Sequence, residues 1–106
     1  MIRAGELEQY ITIEKPVNTE GDYGETTTTW TTHCNCWANI QNLKGKEYWD
    51  AKSINSEVTA KIKIRYRDDI TADMRVKYES RYFYVESFYD PNEERKELLL
   101  MCWEAL

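Results

Sequence analysis

Glycine and proline are scarce, four and two in 106 residues. No glycines are grouped, so a glycine-rich loop that cradles phosphate is excluded. The lone histidine, His33, has no Gly-x-Ser-x-Gly or Cys-His-Asn signature around it, which removes the familiar nucleophile–base pairings. The cysteines number three, and an odd count fits a reducing compartment better than a disulfide framework. Long apolar runs are missing too. The longest, Leu98 to Trp103, falls far short of the roughly 20 residues that cross a bilayer, so no membrane span is expected. Met1 to Glu6 lacks the apolar core of a signal peptide, and the chain is expected to be soluble and made in the cytosol. Basic residues are in deficit, 14 Lys and Arg against 19 Asp and Glu for a formal net charge of -5. Dedicated nucleic-acid binding needs clustered cations and is disfavoured.

What remains is 42% hydrophobic and 31% charged, with eight Tyr and four Trp. That is the composition of one globular domain, residues 1–106, whose amphipathic aromatics suit half-buried sheet faces and protein interfaces. The clearest pattern is Val58 to Arg67, in which Val58, Ala60, Ile62, Ile64 and Tyr66 alternate with Thr59, Lys61, Lys63, Arg65 and Arg67. A strand repeats every two residues, so one set is buried and the other faces water or a partner.

The same reasoning predicts a strand over Leu7 to Glu14, closed by Pro16, and a long polar loop over Asn18 to Thr26. Thr27 to Leu43 is rich in β-branched residues and reads as a long strand with a bend, carrying Trp30, Thr32, Cys34, Cys36, Ala38 and Ile40 on one parity. Lys44 to Ile54 is the only helix candidate, and its adjacent Tyr48 and Trp49 sit about 100° apart around a helix, too far for one core to bury both. Met74 to Glu79, Tyr82 to Tyr89 and Glu97 to Glu104 supply further strands, separated by turn residues at Arg67 to Asp73, Ser80 and Asp90 to Glu93. In the fifth strand Phe83, Val85 and Tyr89 share one parity, with Tyr82, Tyr84 and Phe88 on the other. The expected fold is all-β, a small barrel or sandwich of about six antiparallel strands with one short helix and a long loop.

Chemical candidates are few. His33, Cys34 and Cys36 offer metal-ligand types, but in an extended strand the two thiols lie roughly 6.6 Å apart on one face with the imidazole on the other. Ordinary half-buried cysteines are the better reading, and the spacing would strain a Cys34–Cys36 disulfide. Asp68, Asp69 and Asp73 read as turn residues that hydrogen-bond their own backbone. No catalytic, cofactor or metal site is expected. Lys61, Lys63 and Arg65 with Tyr66 form a basic strip that a small single-stranded nucleic-acid-binding barrel could use. The acidic remainder of the chain favours a solvated face, or one that meets an acidic neighbour.

Taken in order, a series of short pieces resembles the head-tail joining proteins of tailed phages, also called head-closure or head-tail adaptor proteins. The pieces are Ala4 to Leu7 with Ile11 to Ile13, Asp22 to Glu25, Trp30, Trp37 to Ile40, and Gly45 to Glu47 with Ala51. After these come Ile62 to Arg67, Ile70, Met74 to Val76, Phe83 to Val85, Asp90 to Pro91 and Leu98 to Glu104. His33 to Cys36 is a departure from that pattern. The resemblance implies a small non-enzymatic β-barrel, a structural virion protein of a phage or prophage assembled in the host bacterial cytoplasm. Its members form a homo-oligomeric ring of about twelve subunits at the portal vertex, with portal and adaptor proteins above and tail proteins below. The ring closes the DNA-filled head and joins it to the tail, and DNA passes through the channel without specific binding. Because they break strand periodicity or present charge, Tyr23, Glu25, Tyr48, Trp49, Lys61, Lys63 and Arg65 are the expected subunit or channel contacts.

Overall fold

The computed structural model describes residues 7–43 and 58–105. The helix expected over Lys44 to Ile54, with Tyr48 and Trp49, lies outside them. Six strands run in chain order: β1 (Gln9–Glu20), β2 (Thr26–Asn42), β3 (Ala60–Arg65), β4 (Arg75–Tyr78), β5 (Arg81–Tyr89) and β6 (Glu97–Ala105). Among the described residues the helical content is a single 3-10 turn, Pro91–Glu93, in the β5–β6 connection. All pairings are antiparallel and close into a barrel in the order β1-β2-β3-β6-β5-β4.

The alternation that marks β3 in the sequence is what fills the barrel. Val58, Ala60, Ile62 and Ile64 are all buried, and Ile62 meets Ile40 and Leu100 across its two neighbouring strands. Ile11, Ile13, Val76, Phe83, Leu100 and Cys102 complete the innermost layer. Directly paired residues of an antiparallel ladder point to the same face, so closure brings one apolar parity from every strand inward.

Two bulges change which residues that parity selects. In the β1–β2 ladder Ile13 pairs with Cys34 but Glu14 pairs with Thr32, leaving His33 as the extra residue. Trp30 and Thr32, expected on the face of Cys34, Cys36 and Ala38, are therefore switched to the outer face. A bulge bends a strand and re-aims the side chains beyond it, which is the bend expected within Thr27 to Leu43. In the β5–β6 ladder Val85 pairs with Cys102 and Ser87 with Met101, so Glu86 is extra. Phe88 then sits opposite the buried Leu100, and Tyr89, expected to share a face with Phe83 and Val85, goes to the other side.

The expected long loop over Asn18 to Thr26 is also corrected. Strand β1 continues through Pro16 to Glu20, paired rung by rung with Trp30 to Thr26. Beyond Glu14, whose partner on β4 is Arg75, β1 has no second neighbour among the described residues. Proline on such an open edge forfeits no ladder bond, so Pro16 does not end the strand. Threonine's β preference does the rest, and Thr28 donates its hydroxyl hydrogen bond to Asn18 Oδ1 at 2.7 Å. The result is a two-stranded arm standing off the barrel, with a tip of only Gly21 to Glu25. The molecule's 49 × 29 × 28 Å extents reflect that arm.

Candidate functional site

The arm is held where it leaves the barrel. A two-stranded ribbon with no core of its own is marginal in water, so its root must be anchored. At the last rung shared with β4, Arg75 Nε donates to Glu14 Oε1 at 2.7 Å, and both side chains are about 15% exposed or less. The guanidinium lies 4.3 Å from the ring centroids of Trp30 and Tyr82, and its Nη1 donates to the Tyr84 hydroxyl at 3.2 Å. Tyr84 in turn stacks on Trp103 at 4.6 Å and meets the edge of Trp30 at 5.9 Å. Arg75 thus ties β1 and β2 of the arm to β4 and β5 of the barrel. The bulge at His33 is what delivers Trp30 to this face.

The tip is closed by its own residues. Gly21 N–H donates to the Glu25 carbonyl at 2.6 Å, and Tyr23 N–H donates to Glu25 Oε2 at 3.0 Å. Gly24 has φ of 80°, a left-handed conformation that a side chain would strain. Tyr23 is left 96% exposed. Glu20, Asp22 and Glu25 put three carboxylates in the six residues 20–25, with no basic residue among them.

A second surface forms where β3 ends beside the middle of β2. Tyr10 and Trp37, directly paired across β1 and β2, stand 55% and 53% exposed with ring centroids 5.0 Å apart. With Leu7, Arg65, Tyr66 and Arg67 they line a groove of about 430 Å³. Tyr66 and Arg67 are shared with a neighbouring groove of about 360 Å³, whose far side carries Phe88 and Tyr89. The floor is stiffened by the segment after β3, where Arg67 grips Asp69 with Nε to Oδ1 at 3.0 Å and Nη2 to Oδ2 at 2.8 Å. His33 Nε2 lies 3.0 Å from the same Oδ2. The Arg67 hydrogen bonds hold the Asp69 carboxyl well below the usual carboxylate range, at about 2. His33, largely buried, has the Asp69 carboxylate as its partner.

Cys34 and Cys36 are hydrogen-bonded to each other through their thiols, and Cys102 stands apart from them. Burial pushes the Cys36 thiol up to about 11, with the Cys34 sulfur adding to it, and burial alone raises Cys102. Strand β3 separates Cys102 on β6 from the other two on β2. Among the described residues no three His, Cys, Asp or Glu side chains converge as a metal site would require.

The expected contact residues fall into two separate groups. Tyr23 and Glu25 share the arm tip, where Tyr23 points to solvent while the Glu25 carboxylate holds the turn. Lys61, Lys63 and Arg65 line the outer face of β3, opposite in parity to Ala60, Ile62 and Ile64. Lys63 Nζ is 3.8 Å from Glu97, so part of the basic strip is met by an acid of the same chain. Trp37 beside the strip and Thr26 at the tip are eleven residues apart on β2, roughly 36 Å at about 3.3 Å per residue. No local sequence signal shows that Tyr10 and Trp37 pair or that the Arg75 cluster assembles, because Tyr10 meets Trp37 only across two strands and Arg75 finds Glu14 at a separation of 61 residues.

The fold recurs in known proteins. Protein SF1141 from Shigella flexneri 2a, known from a solution structure, is 28% identical, with 98% of this chain and 97% of that one covered and a TM-score of 0.75. A chain from the virion of a native gene transfer agent particle shares the fold at 16% identity, covering 93% of this chain and 96% of that one with a TM-score of 0.63. No curated protein sequence matches. The family model described as phage head completion protein matches residues 2–105. With nearly every residue inside that match, the chain belongs to the phage head completion protein family.

Proposed function

We propose that the protein is a structural component of a virion that forms a ring at the portal vertex, closes the DNA-filled head and joins it to the tail. The observation that carries this reading is the family match over residues 2–105. A neighbour of the same fold from a gene transfer agent virion agrees with it. The geometry is compatible, because a ring of identical subunits needs two different contact surfaces on each, and the arm and the barrel flank are two such surfaces. A net charge of -5 lets a polyanion pass without adhering.

In this role the work is done by shape and contact, without catalysis or cofactor. The ring has about twelve copies, meets portal and adaptor proteins on one side and tail proteins on the other, and assembles in the host bacterial cytoplasm. Tyr23, Glu25, Tyr48, Trp49, Lys61, Lys63 and Arg65 are the contacts to subunits or channel. Removing the gene from its phage should leave filled heads that leak DNA or fail to acquire tails, counted by electron microscopy. A chain lacking Gly21 to Glu25 should fold, judged by circular dichroism, yet fail to restore particle yield. Normal infectious yield without the gene would overturn the proposal.

A further inference from the structure

We infer that the acidic arm tip of one subunit seats in the Tyr10–Trp37–Arg65 groove of a second copy of this chain. The inference deepens the ring reading and rests on it. In a chain of net charge -5, self-association needs locally opposite patches, and these two surfaces supply them. The tip carries Glu20, Asp22 and Glu25 around a Tyr23 that is 96% exposed. The groove offers two half-exposed aromatic rings beside Arg65, an exposed cation with no ion pair among the described residues. Tyrosine against exposed aromatics and arginine is the chemistry that dominates protein interfaces.

Reach decides which copy supplies the tip. The groove borders Tyr10 and Trp37, and the tip, residues 20–25, begins ten residues along β1 and twelve along β2, roughly 33 to 40 Å away at about 3.3 Å per residue. A continuously paired ribbon cannot fold back over that length, so a chain's own tip is excluded. A contact between unlike surfaces is heterologous and propagates from copy to copy until it closes, which is how a ring forms. One six-residue tip gives a contact below the size of a stable dimer interface, so isolated pairs are weak and ring closure, where every copy makes two contacts, holds them together.

The test replaces Tyr23 by photoreactive p-benzoylphenylalanine in the full chain, a change at an exposed ring that leaves the barrel untouched. The chain is irradiated over a range of concentrations, cross-linked peptides are mapped by mass spectrometry, and sedimentation velocity reads self-association independently. The expected result is an intermolecular cross-link into peptides holding Tyr10, Trp37 or residues 65–67. Arg65→Glu should weaken association about fivefold or more, and Arg65→Glu combined with Asp22→Arg should recover it. A ring that sediments as such while residue 23 cross-links elsewhere or not at all overturns the tip-in-groove contact and leaves the ring standing. A chain that stays monomeric at every concentration and gives no cross-link, in solution or in assembled particles, overturns both.

Discussion

The arm root is the place to test how the molecule is built, and Arg75→Met is the perturbation. Methionine keeps most of the aliphatic stem and removes the guanidinium. Two ring faces at 4.3 Å are each worth about 0.5–1 kcal/mol to a partly exposed cation. The Glu14 pair, some 85% buried on both sides, lies between an exposed pair worth under about 1 kcal/mol and a fully buried one whose disruption costs about 3–5, so about 1–2 is expected. The loss should total about 2–4 kcal/mol, a large share of the about 5–15 kcal/mol available to a domain of this kind. In urea the midpoint should fall by roughly 2 M at about 1–2 kcal/mol per molar. Amide exchange should localise the damage. Thr27 to Trp30 should exchange faster than stability alone requires, while β3 amides track the global change. Glu14→Gln combined with Arg75→Met should recover about 1–2 kcal/mol of coupling. A loss below about 1 kcal/mol with unchanged exchange in the arm would refute the anchoring role.

The barrel interior, the Asp69 carboxylate and the buried thiols can each be probed in the same way. Ile64→Ala, at a side chain with 0% exposure, should cost about 2–5 kcal/mol by chemical denaturation; under about 1 kcal/mol would mean the barrel interior is loosely packed. The Asp69 carboxyl is depressed from 3.8 to about 2, chiefly by Arg67, so its stabilisation is full above about pH 4 and disappears as pH falls through about 2. With that side chain 40% exposed, solvent screening limits the effect to about 0.5–1 kcal/mol, and Asp69→Asn should flatten the stability profile between about pH 4 and pH 2. Parallel profiles for the two proteins would contradict this. With thiols raised by burial, Cys36 and Cys102 should react with a disulfide reagent at pH 8 far more slowly in the native state than in denaturant, and equal rates would show those strands to be open.

Much of the candidate site was illegible for a physical reason. Tyr23 and Arg65 could be named from sequence because a glycine-flanked polar tip and an uninterrupted alternation are local patterns. The Arg75 cluster joins residues 14, 30, 82 and 84, and no local pattern encodes a meeting of four segments. Trp37 was visible as a strand residue, yet its value as a surface depends on Tyr10 lying opposite and on β3 ending beside it.

Composition and periodicity alone determined that this is an all-β domain and that Val58, Ala60, Ile62 and Ile64 face inward, while a series of short pieces carried the resemblance to phage head-tail joining proteins. Those are properties of short segments, and a strand's two faces come from its backbone geometry wherever it lies. Only the tertiary structure decided that the sheet closes into a barrel, that β1 and β2 run past Pro16 as an arm, and that bulges at His33 and Glu86 reverse the faces of Trp30, Phe88 and Tyr89. Register is set between strands distant in sequence, and one extra residue moves every later side chain of the strand to the opposite face.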